Sequence, residues 1–217
     1  MARPPRFDSD QLLDAAVRLA AESGPAAVTM AAVAGEVGAP SGSVYYRFPG
    51  RSALLAELWL RTVDRFQQGY LAAFGTVLGK DLDPVPLATT ADARQTARAA
   101  ARQVVAWARA HPQEAALLLY GPDGFGRADW SEEHRLRADL GNRTVHGALA
   151  ALAALLGAGS PTEDPRSVER VVLALIELPL SLVRRHLRAG AQLPEHAEEL
   201  AEECADDLLA RLGPHRP

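Results

Sequence analysis

The stretch at residues 29–48 constrains the fold of this chain more than any other part of it. It reads TMAAVAGEVGAPSGSVYYRF, which is two short amphipathic segments separated by a glycine and an Ala-Pro-Ser turn. The apolar residues of the first segment recur at the spacing of one helical face: Met30, Val33, Ala34 and Val37. Thr29 is placed to cap that helix, and Gly38 lies where helices commonly end in a left-handed residue. The pattern therefore predicts a helix, a tight turn and a second helix.

The second of these helices is predicted to have one buried and one exposed side. Pro40 resists continuation of the first helix, and Ser41 is placed to cap the second. Val44 and Phe48 lie four residues apart and are predicted to point inward. The positions left facing outward are Gly42, Ser43, Tyr45, Tyr46 and Arg47. Small residues followed by two aromatics and an arginine are typical of a surface that enters a DNA groove and contacts phosphate.

These residues and the ones that follow them resemble a known family signature. The match is carried by Thr29, Val33-Ala34, Gly38, GSVYYRF at 42–48 and RSALL at 51–55. It resembles the DNA-binding signature of the TetR/AcrR family of bacterial repressors, and it covers the first quarter of the chain. One departure is Pro40-Ser41, where the family more often has a serine or threonine followed by a polar or basic residue.

The resemblance implies an all-α fold of about nine helices, in agreement with the lack of any long period-two alternation. It places a three-helix, helix-turn-helix DNA-binding domain in residues 1–52, with the motif at about 29–48. A helical domain for ligand binding and dimerisation would then occupy residues 53–217. Leu12, Leu13, Ala16 and Leu19 form a stripe that predicts a supporting first helix, with a cap at Asp8 or Ser9.

Eight residues are predicted to contact DNA, because they face outward or match the signature: Thr29, Ser41, Gly42, Ser43, Tyr45, Tyr46, Arg47 and Arg51. Arg51 lies where the resembled family usually has a lysine that contacts backbone phosphate. The alternative for Arg51 is a surface arginine without that role. The alternative for the whole motif is a buried three-helix bundle with exposed tyrosines.

The charge of the chain is unusual for a nucleic-acid binder. The net charge is −4, and residues 1–52 hold five arginines and five acidic residues. The arginines lie in the N-terminal tail, as Arg3 and Arg6, and around the second helix of the motif, whereas the acidic residues lie mostly on the first helix. This distribution favours a local basic patch and argues against a strong long-range field.

The rest of the chain reads as long helices at about 51–75, 91–110, 131–156, 165–189 and 195–212. Pro179 is predicted to interrupt the helix at 165–189 and to free the carbonyl of Leu175. The acidic side of the last helix is interpreted as a solvated face. By resemblance, the last two helices form the interface of a homodimer, through Val172, Leu175, Leu182, Leu200, Cys204 and Leu208.

A pocket for a small molecule is predicted among residues of this second domain, although each of them is more often part of a core. The candidates are Phe66, Tyr70, Trp107, Leu118, His146 and Glu177. Because they are mostly aromatic or aliphatic, an apolar or amphipathic ligand is expected. Buried polar groups of His146 and Glu177 would need partners, which makes them informative candidates.

Other chemistries find no support in the sequence. The single Cys204 permits no internal disulfide and fits a reducing cytoplasm, and no signal peptide is recognised. The uncharged run at 144–162 is interpreted as a buried helix and not as a membrane span. Nucleophile-elbow, P-loop, dinucleotide and zinc motifs all fail in residue type or spacing, so no catalytic residue, metal or cofactor is predicted and an enzyme is not expected.

The sequence therefore predicts a cytoplasmic, homodimeric regulator that binds a double-stranded DNA operator and a small-molecule effector, without a membrane. Release of a repressor by an apolar or amphipathic molecule is the expected mechanism. An activator or a ligand-independent regulator of the same family is the first alternative. A helical small-molecule carrier or an enzyme is the alternative from another class, and salt-dependent DNA binding separates it from a regulator.

Overall fold

A computed structural model describes residues 8–75, 77–78, 88–158, 165–210 and 212 of the chain. All regular elements in these ranges are helical, which confirms the predicted all-α fold. Arg3 and Arg6, both assigned to the N-terminal tail, lie outside the described residues. None of the helices in these ranges combines the length and apolar character that a bilayer span requires.

The helices follow one another in the order expected for the predicted motif and the domain after it. They are α1 (Ser9–Ser23), α2 (Met30–Glu36), α3 (Ser41–Arg47), α4 (Arg51–Ala72), α5 (Thr90–Ala110), α6 (Pro112–Leu118), α7 (Gly121–Gly124), α8 (Glu132–Ala153), α9 (Pro165–Val172), α10 (Leu178–Arg188) and α11 (Ala197–Leu209). Short 3₁₀ turns occupy Pro25–Ala27 and Arg127–Asp129, and π-helical segments occupy Ala154–Ala158 and Leu173–Glu177.

The chain forms two compact units, each built from two stretches of sequence. The first unit comprises residues 1–65 and 112–139, and the second comprises 66–111 and 140–217. Helices α4 and α8 therefore contribute residues to both units. The sequence analysis placed a boundary between the DNA-binding part and the ligand-binding part after residue 52. That boundary is defined by binding and not by compactness, and it stays a prediction.

The first unit has a core in which α1 to α4 bury their apolar stripes together. Leu12, Val33, Val44 and Leu54 are all fully buried. Asp8 caps α1 in a capping box, because its carboxylate accepts from the Gln11 N–H at 2.8 Å while the Gln11 side chain accepts from the Asp8 N–H at 3.2 Å. Both stripe and cap follow from the sequence pattern.

Residues 112–139 extend the core of this unit beyond the motif. The ring centroids of Trp59 and Phe125 are 5.2 Å apart, and Phe125 is fully buried. The Arg65 Nη1 donates to the Glu114 carboxylate at 2.7 Å, and the Ser52 hydroxyl donates to the Asp129 carbonyl at 2.6 Å. Apolar and polar contacts thus hold helix α4 against residues 112–139.

In the second unit, α5 and α11 pack together through small residues and a row of ion pairs. Ala100, Ala101, Ala201 and Ala205 are buried, which lets the two backbones approach closely. At one end of the row, the Arg109 guanidinium donates to both carboxylate oxygens of Glu198, at 2.7 and 2.6 Å. This bidentate geometry is the strongest arrangement of an arginine and a carboxylate.

The interpretation of the acidic side of α11 as a solvated face was therefore wrong in part. Glu202 accepts from Arg98 at 3.1 Å and from Arg102 at 3.0 Å, and Asp206 pairs with Arg98 at 3.1 Å. The error has a physical reason, since the partners lie about a hundred residues earlier in the chain, on α5. Glu199 and Glu203 are exposed, as the interpretation requires.

The helix at 165–188 departs from α geometry close to Pro179. The π-helical segment Leu173–Glu177 precedes this proline, which has no N–H to donate to the carbonyl of Leu175. That carbonyl instead accepts from the Tyr70 hydroxyl at 3.5 Å, in a buried position. Burial also raises the pKa of the Tyr70 hydroxyl well above its ordinary value. The predicted interruption and the freed carbonyl are both present.

The Arg109–Glu198 pair leads to a prediction about acid stability. Hydrogen bonds from Arg109 hold the pKa of Glu198 below its ordinary value, so the pair stabilises the fold above the unfolded-state pKa and loses this effect as pH falls through the lower folded-state value. Glu198→Gln is therefore expected to lower the free energy of unfolding at pH 7, by an amount that shrinks as pH falls below about 4.5. Urea unfolding at a series of pH values measures this difference. Glu199 is exposed, so Glu199→Gln is the control. A loss in the free energy of unfolding of Glu198→Gln that is the same at every pH would contradict the assignment.

Candidate nucleic-acid interface

Helix α2 begins and ends where the sequence predicts. The Thr29 hydroxyl oxygen accepts from the Ala32 N–H at 3.1 Å, which caps the first turn. At the other end Gly38 has a φ of +66°, in the left-handed region. The Ala39 N–H then donates to the Ala34 carbonyl at 2.8 Å, as in a Schellman motif. These bonds give the turn between α2 and α3 a defined geometry.

Helix α3 begins differently from the prediction. Pro40 occupies the N-cap position, with φ −59° and ψ 139°, and Ser41 is the first helical residue. The Pro40 carbonyl accepts from the Ser43 N–H at 2.9 Å, and none of the side chains that the structure describes caps the helix. The prediction that Ser41 caps α3 was wrong, because the proline already supplies the extended backbone that an N-cap needs. The Ser41 side chain is exposed at the first turn.

The two sides of α3 are separated as the sequence predicts. Val44 is fully buried and Phe48 is 4% exposed, whereas Tyr45 is 57% and Tyr46 is 84% exposed. The guanidinium carbon of Arg47 lies 5.8 Å from the centroid of the Tyr46 ring, within range of a cation–π interaction. The helix therefore presents two phenol groups on the side opposite to its buried residues, whereas Ser43 and Arg47, also predicted to face outward, are half-buried.

Arg51 is the predicted contact whose partners could not be read from the sequence. Its Nε donates to the Val28 carbonyl at 2.8 Å, and its Nη2 donates to the Pro25 carbonyl at 2.9 Å and lies 3.5 Å from the Ala26 carbonyl. These carbonyls belong to the 3₁₀ turn before α2 and to the residue after it. The predicted phosphate contact of Arg51 is untested, and the structure gives this guanidinium a second set of partners.

Ion pairs within the first unit neutralise the acidic residues that made its charge unusual. The Arg61 Nη2 of α4 lies 2.8 Å from the Asp14 carboxylate, an ion pair without hydrogen-bond alignment, and its Nη1 lies 3.3 Å from Asp10. Between α1 and α2, Arg18 Nε donates to Glu36 at 3.0 Å. The sequence analysis missed Arg18 and Arg61, since no local spacing links either residue to its partner. The carboxylates of Asp10, Asp14 and Glu36 are therefore each offset by an arginine of the same unit.

Three of the six predicted pocket residues lie together in the second unit. The ring centroids of Phe66 and Tyr70 are 5.6 Å apart, and those of Phe66 and Trp107 are 5.3 Å apart. Tyr70 is fully buried and Trp107 is 7% exposed. Phe74 continues the cluster, with its ring centroid 5.5 Å from that of Tyr70. This aromatic cluster brings three of the predicted residues side by side, and the pocket itself stays a prediction.

The other three predicted pocket residues lie elsewhere. Leu118 belongs to the first unit, where it packs against the core of that unit. His146 and Glu177 are exposed, because α8 and the π-helical segment turn those positions toward solvent. Their polar groups therefore need no buried partners, and the reason for their selection does not hold.

The six predicted dimer residues differ in how far the protomer buries them. Leu175 is fully buried within the second unit, so it belongs to the core of the protomer. The remaining five are Val172, Leu182, Cys204 and Leu208, which are half-buried, and Leu200, which is 39% exposed. Leu173 is 43% exposed and was not selected, because an apolar residue on a helix with two apolar faces carries no sign of which face it lies on.

Comparison with known families finds one match, over the motif and the helices around it. Residues 12–58 match the profile of the bacterial regulatory proteins of the tetR family. The TetR-family resemblance predicted from the sequence is thus confirmed over residues 12–58. Comparison with curated protein sequences finds no match.

Several solved structures of regulatory proteins share the fold of this chain. The fatty acid degradation regulator FadR from Bacillus halodurans is 18% identical, with a TM-score of 0.66 and 100% of both chains covered. The TetR-family regulator PfmR from Thermus thermophilus is 22% identical, with a TM-score of 0.59 and coverage of 98% of this chain and 100% of that one. The ketosteroid regulator KstR2 of Mycobacterium tuberculosis is 16% identical, with a TM-score of 0.64 and coverage of 97% and 98%. At these identities the likeness shows the fold alone.

The cap of α2 gives a prediction about the stability of the motif. Thr29→Ala removes the hydroxyl that accepts from the Ala32 N–H, so we expect the free energy of unfolding to fall by about 0.5–2 kcal/mol. Thr29→Ser keeps the acceptor and is expected to retain most of that stability. Urea unfolding followed by circular dichroism measures both variants. Equal losses in the two would mean that the threonine methyl group, and not the cap, stabilises the motif.

Proposed function

We propose that this protein is a transcriptional regulator that reads double-stranded DNA with α3. The observation that carries the proposal is the exposure of Tyr46, 84%, and Tyr45, 57%, on a helix whose opposite side is fully buried at Val44. Two neighbouring aromatic side chains in solvent contribute little to the fold, whereas they suit contacts with the edges and backbone of DNA in a major groove.

The contact residues divide by chemistry into two groups. Ser43 and Tyr46 are assigned to base edges, because their hydroxyl groups both donate and accept hydrogen bonds. Thr29, Ser41, Tyr45 and Arg47 are assigned to the phosphate backbone, which positions the protein without reading sequence. Gly42 is exposed at the start of α3 and would let the backbone approach DNA closely.

The second unit is proposed to bind a small apolar or amphipathic effector beside the aromatic cluster of Phe66, Tyr70, Phe74 and Trp107. Support comes from the composition of the cluster, in which the Tyr70 hydroxyl and the Leu175 carbonyl form a polar pair. Two structurally similar proteins are called a fatty acid degradation regulator and a ketosteroid regulator, names that agree with an apolar effector.

Helix α4 provides the route by which an effector would change DNA binding. Its first residue, Arg51, contacts the motif in the first unit, whereas Phe66 and Tyr70 on the same helix belong to the aromatic cluster of the second unit. An effector that binds one position of α4 better than another shifts the population toward it. We assign the protein as a repressor that the effector releases from its operator. An activator and a ligand-independent regulator use the same interface and remain alternatives.

The active form is proposed to be a cytoplasmic homodimer without enzymatic activity. Leu173 and Leu200, which are 43% and 39% exposed, and the half-buried Val172, Leu182, Cys204 and Leu208 supply apolar side chains that a partner copy would cover. A two-fold dimer would present two α3 helices to successive major grooves, so the operator is expected to be partly palindromic.

Loss of the exposed phenol of α3 tests the reading role. An operator is first obtained by selection from random DNA, and affinities are then measured on the operator and on random DNA at several salt concentrations. Tyr46→Ala is expected to lower the operator affinity relative to random DNA by about 1–3 kcal/mol, which is the cost of one lost base contact. Tyr120→Ala is the matched control, since Tyr120 is 51% exposed and is not part of α3.

Two outcomes would contradict this assignment. Equal losses on operator and random DNA would show that Tyr46 positions the protein and does not read sequence. The absence of salt-dependent DNA binding by the unmutated protein would reject a regulator and favour the alternative of a small-molecule carrier.

Effector binding is expected to be reciprocal with DNA binding. A compound found by thermal-shift screening should change the fluorescence of Trp107, whose ring lies 5.3 Å from that of Phe66. A coupling free energy of about 1–3 kcal/mol would weaken operator binding roughly 5- to 150-fold, and the operator would weaken compound binding by the same factor. Titration of the compound with and without operator measures this factor. Equal compound affinities in the two titrations would show that its site is not the switch.

A further inference from the structure

The guanidinium of Arg51 is positioned by the protein itself. Two of its nitrogens are engaged with backbone carbonyls, Nε with Val28 at 2.8 Å and Nη2 with Pro25 at 2.9 Å. Hydrogen bonds from a charged donor are stronger than those between neutral groups. Arg51 is exposed, but a side chain held by these bonds has less freedom to move toward a phosphate than an arginine without them.

These bonds connect the two ends of the DNA-binding motif. Val28 precedes Thr29, the cap of α2, and Arg51 is the first residue of α4, directly after α3 and its short turn. The bond between them therefore encloses α2, the turn and α3 within one closed stretch whose ends are 23 positions apart in the sequence. Because the Val28 side chain is fully buried, the carbonyl that Arg51 holds is itself fixed to the core.

Contacts with other parts of the fold also explain why a cation is tolerated at this position. The N-terminus of a helix carries a partial positive charge, so a cation in the first turn is unfavourable there. Helix α4 has no acidic residue in its first turn to offset this charge. The carbonyls of the turn at Pro25–Ala27 and of Val28 carry the negative ends of peptide dipoles, and they provide the compensation that α4 lacks.

From this geometry we propose that Arg51 is a positioning residue: it ties the start of α4 to the start of α2 and so sets the orientation in which α3 is presented to DNA. The inference rests on the proposed DNA-binding function. It replaces the phosphate contact that the family resemblance implies at this position. A lysine would not reproduce the arrangement, because its single ammonium cannot present the planar, spaced donors that reach both carbonyls.

The test compares Arg51→Ala and Arg51→Lys with the unmutated full-length protein. Affinities for a selected operator and for random DNA are measured at a series of salt concentrations, below the thermal unfolding temperature of each variant. Both variants are expected to lose at least about 5-fold in the operator-to-random ratio, comparable to one lost base contact, with no change in the salt slope. Arg47→Ala is the matched control on α3, and it is expected to reduce the salt slope by about one contact.

Other results would overturn the proposal. A salt slope that falls by about one in Arg51→Ala and returns in Arg51→Lys would show a phosphate contact. A lower unfolding temperature with unchanged operator-to-random ratio would show that Arg51 only stabilises the fold. If the unmutated protein does not bind DNA in a salt-dependent way, the proposed function itself fails, whereas failure of the Arg51 assignment alone leaves that binding intact.

Discussion

The burial of Val44 and Phe48 is the interaction on which the DNA-binding surface depends. Helix α3 has only seven residues, too few for a helix to persist in water without tertiary contacts. Val44 is fully buried and Phe48 nearly so, and their packing against the core of the first unit keeps the segment helical. Because those positions point inward, Tyr45 and Tyr46 must point outward. Exposure of the aromatic side chains is thus a consequence of core packing.

Local features of the motif could be predicted from the sequence, because each depends on residues within one or two helical turns. The Thr29 cap, the left-handed Gly38 and the two sides of α3 are of this kind, and so is the freed carbonyl of Leu175 four residues before Pro179. The start of α3 was not predicted, since Pro40 and Ser41 both suit the N-cap position. The prediction favoured the side-chain cap over the backbone preference of proline.

Long-range pairs could not be predicted, because no local spacing encodes them. Part of the acidic side of α11 contacts arginines of α5. The Asp10 and Asp14 carboxylates of α1 form ion pairs with Arg61 of α4. The same limit affected the pocket: helical periodicity placed Phe66 and Tyr70 together, but it gave no sign that His146 and Glu177 face solvent. Within the first unit, the pairs of Arg61 change the electrostatic picture, since its guanidinium offsets the carboxylates of Asp10 and Asp14.

Hydrogen–deuterium exchange of the full-length protein, with and without a selected operator duplex, tests the central claim most directly. The claim is that α3 forms the DNA contact and that the residues around it hold it in place. We predict that bound operator slows exchange at residues 41–47 more than in any other part of the chain, and that random DNA of equal length slows it less. Bound operator that leaves the exchange of residues 41–47 unchanged while protecting another surface would contradict the account.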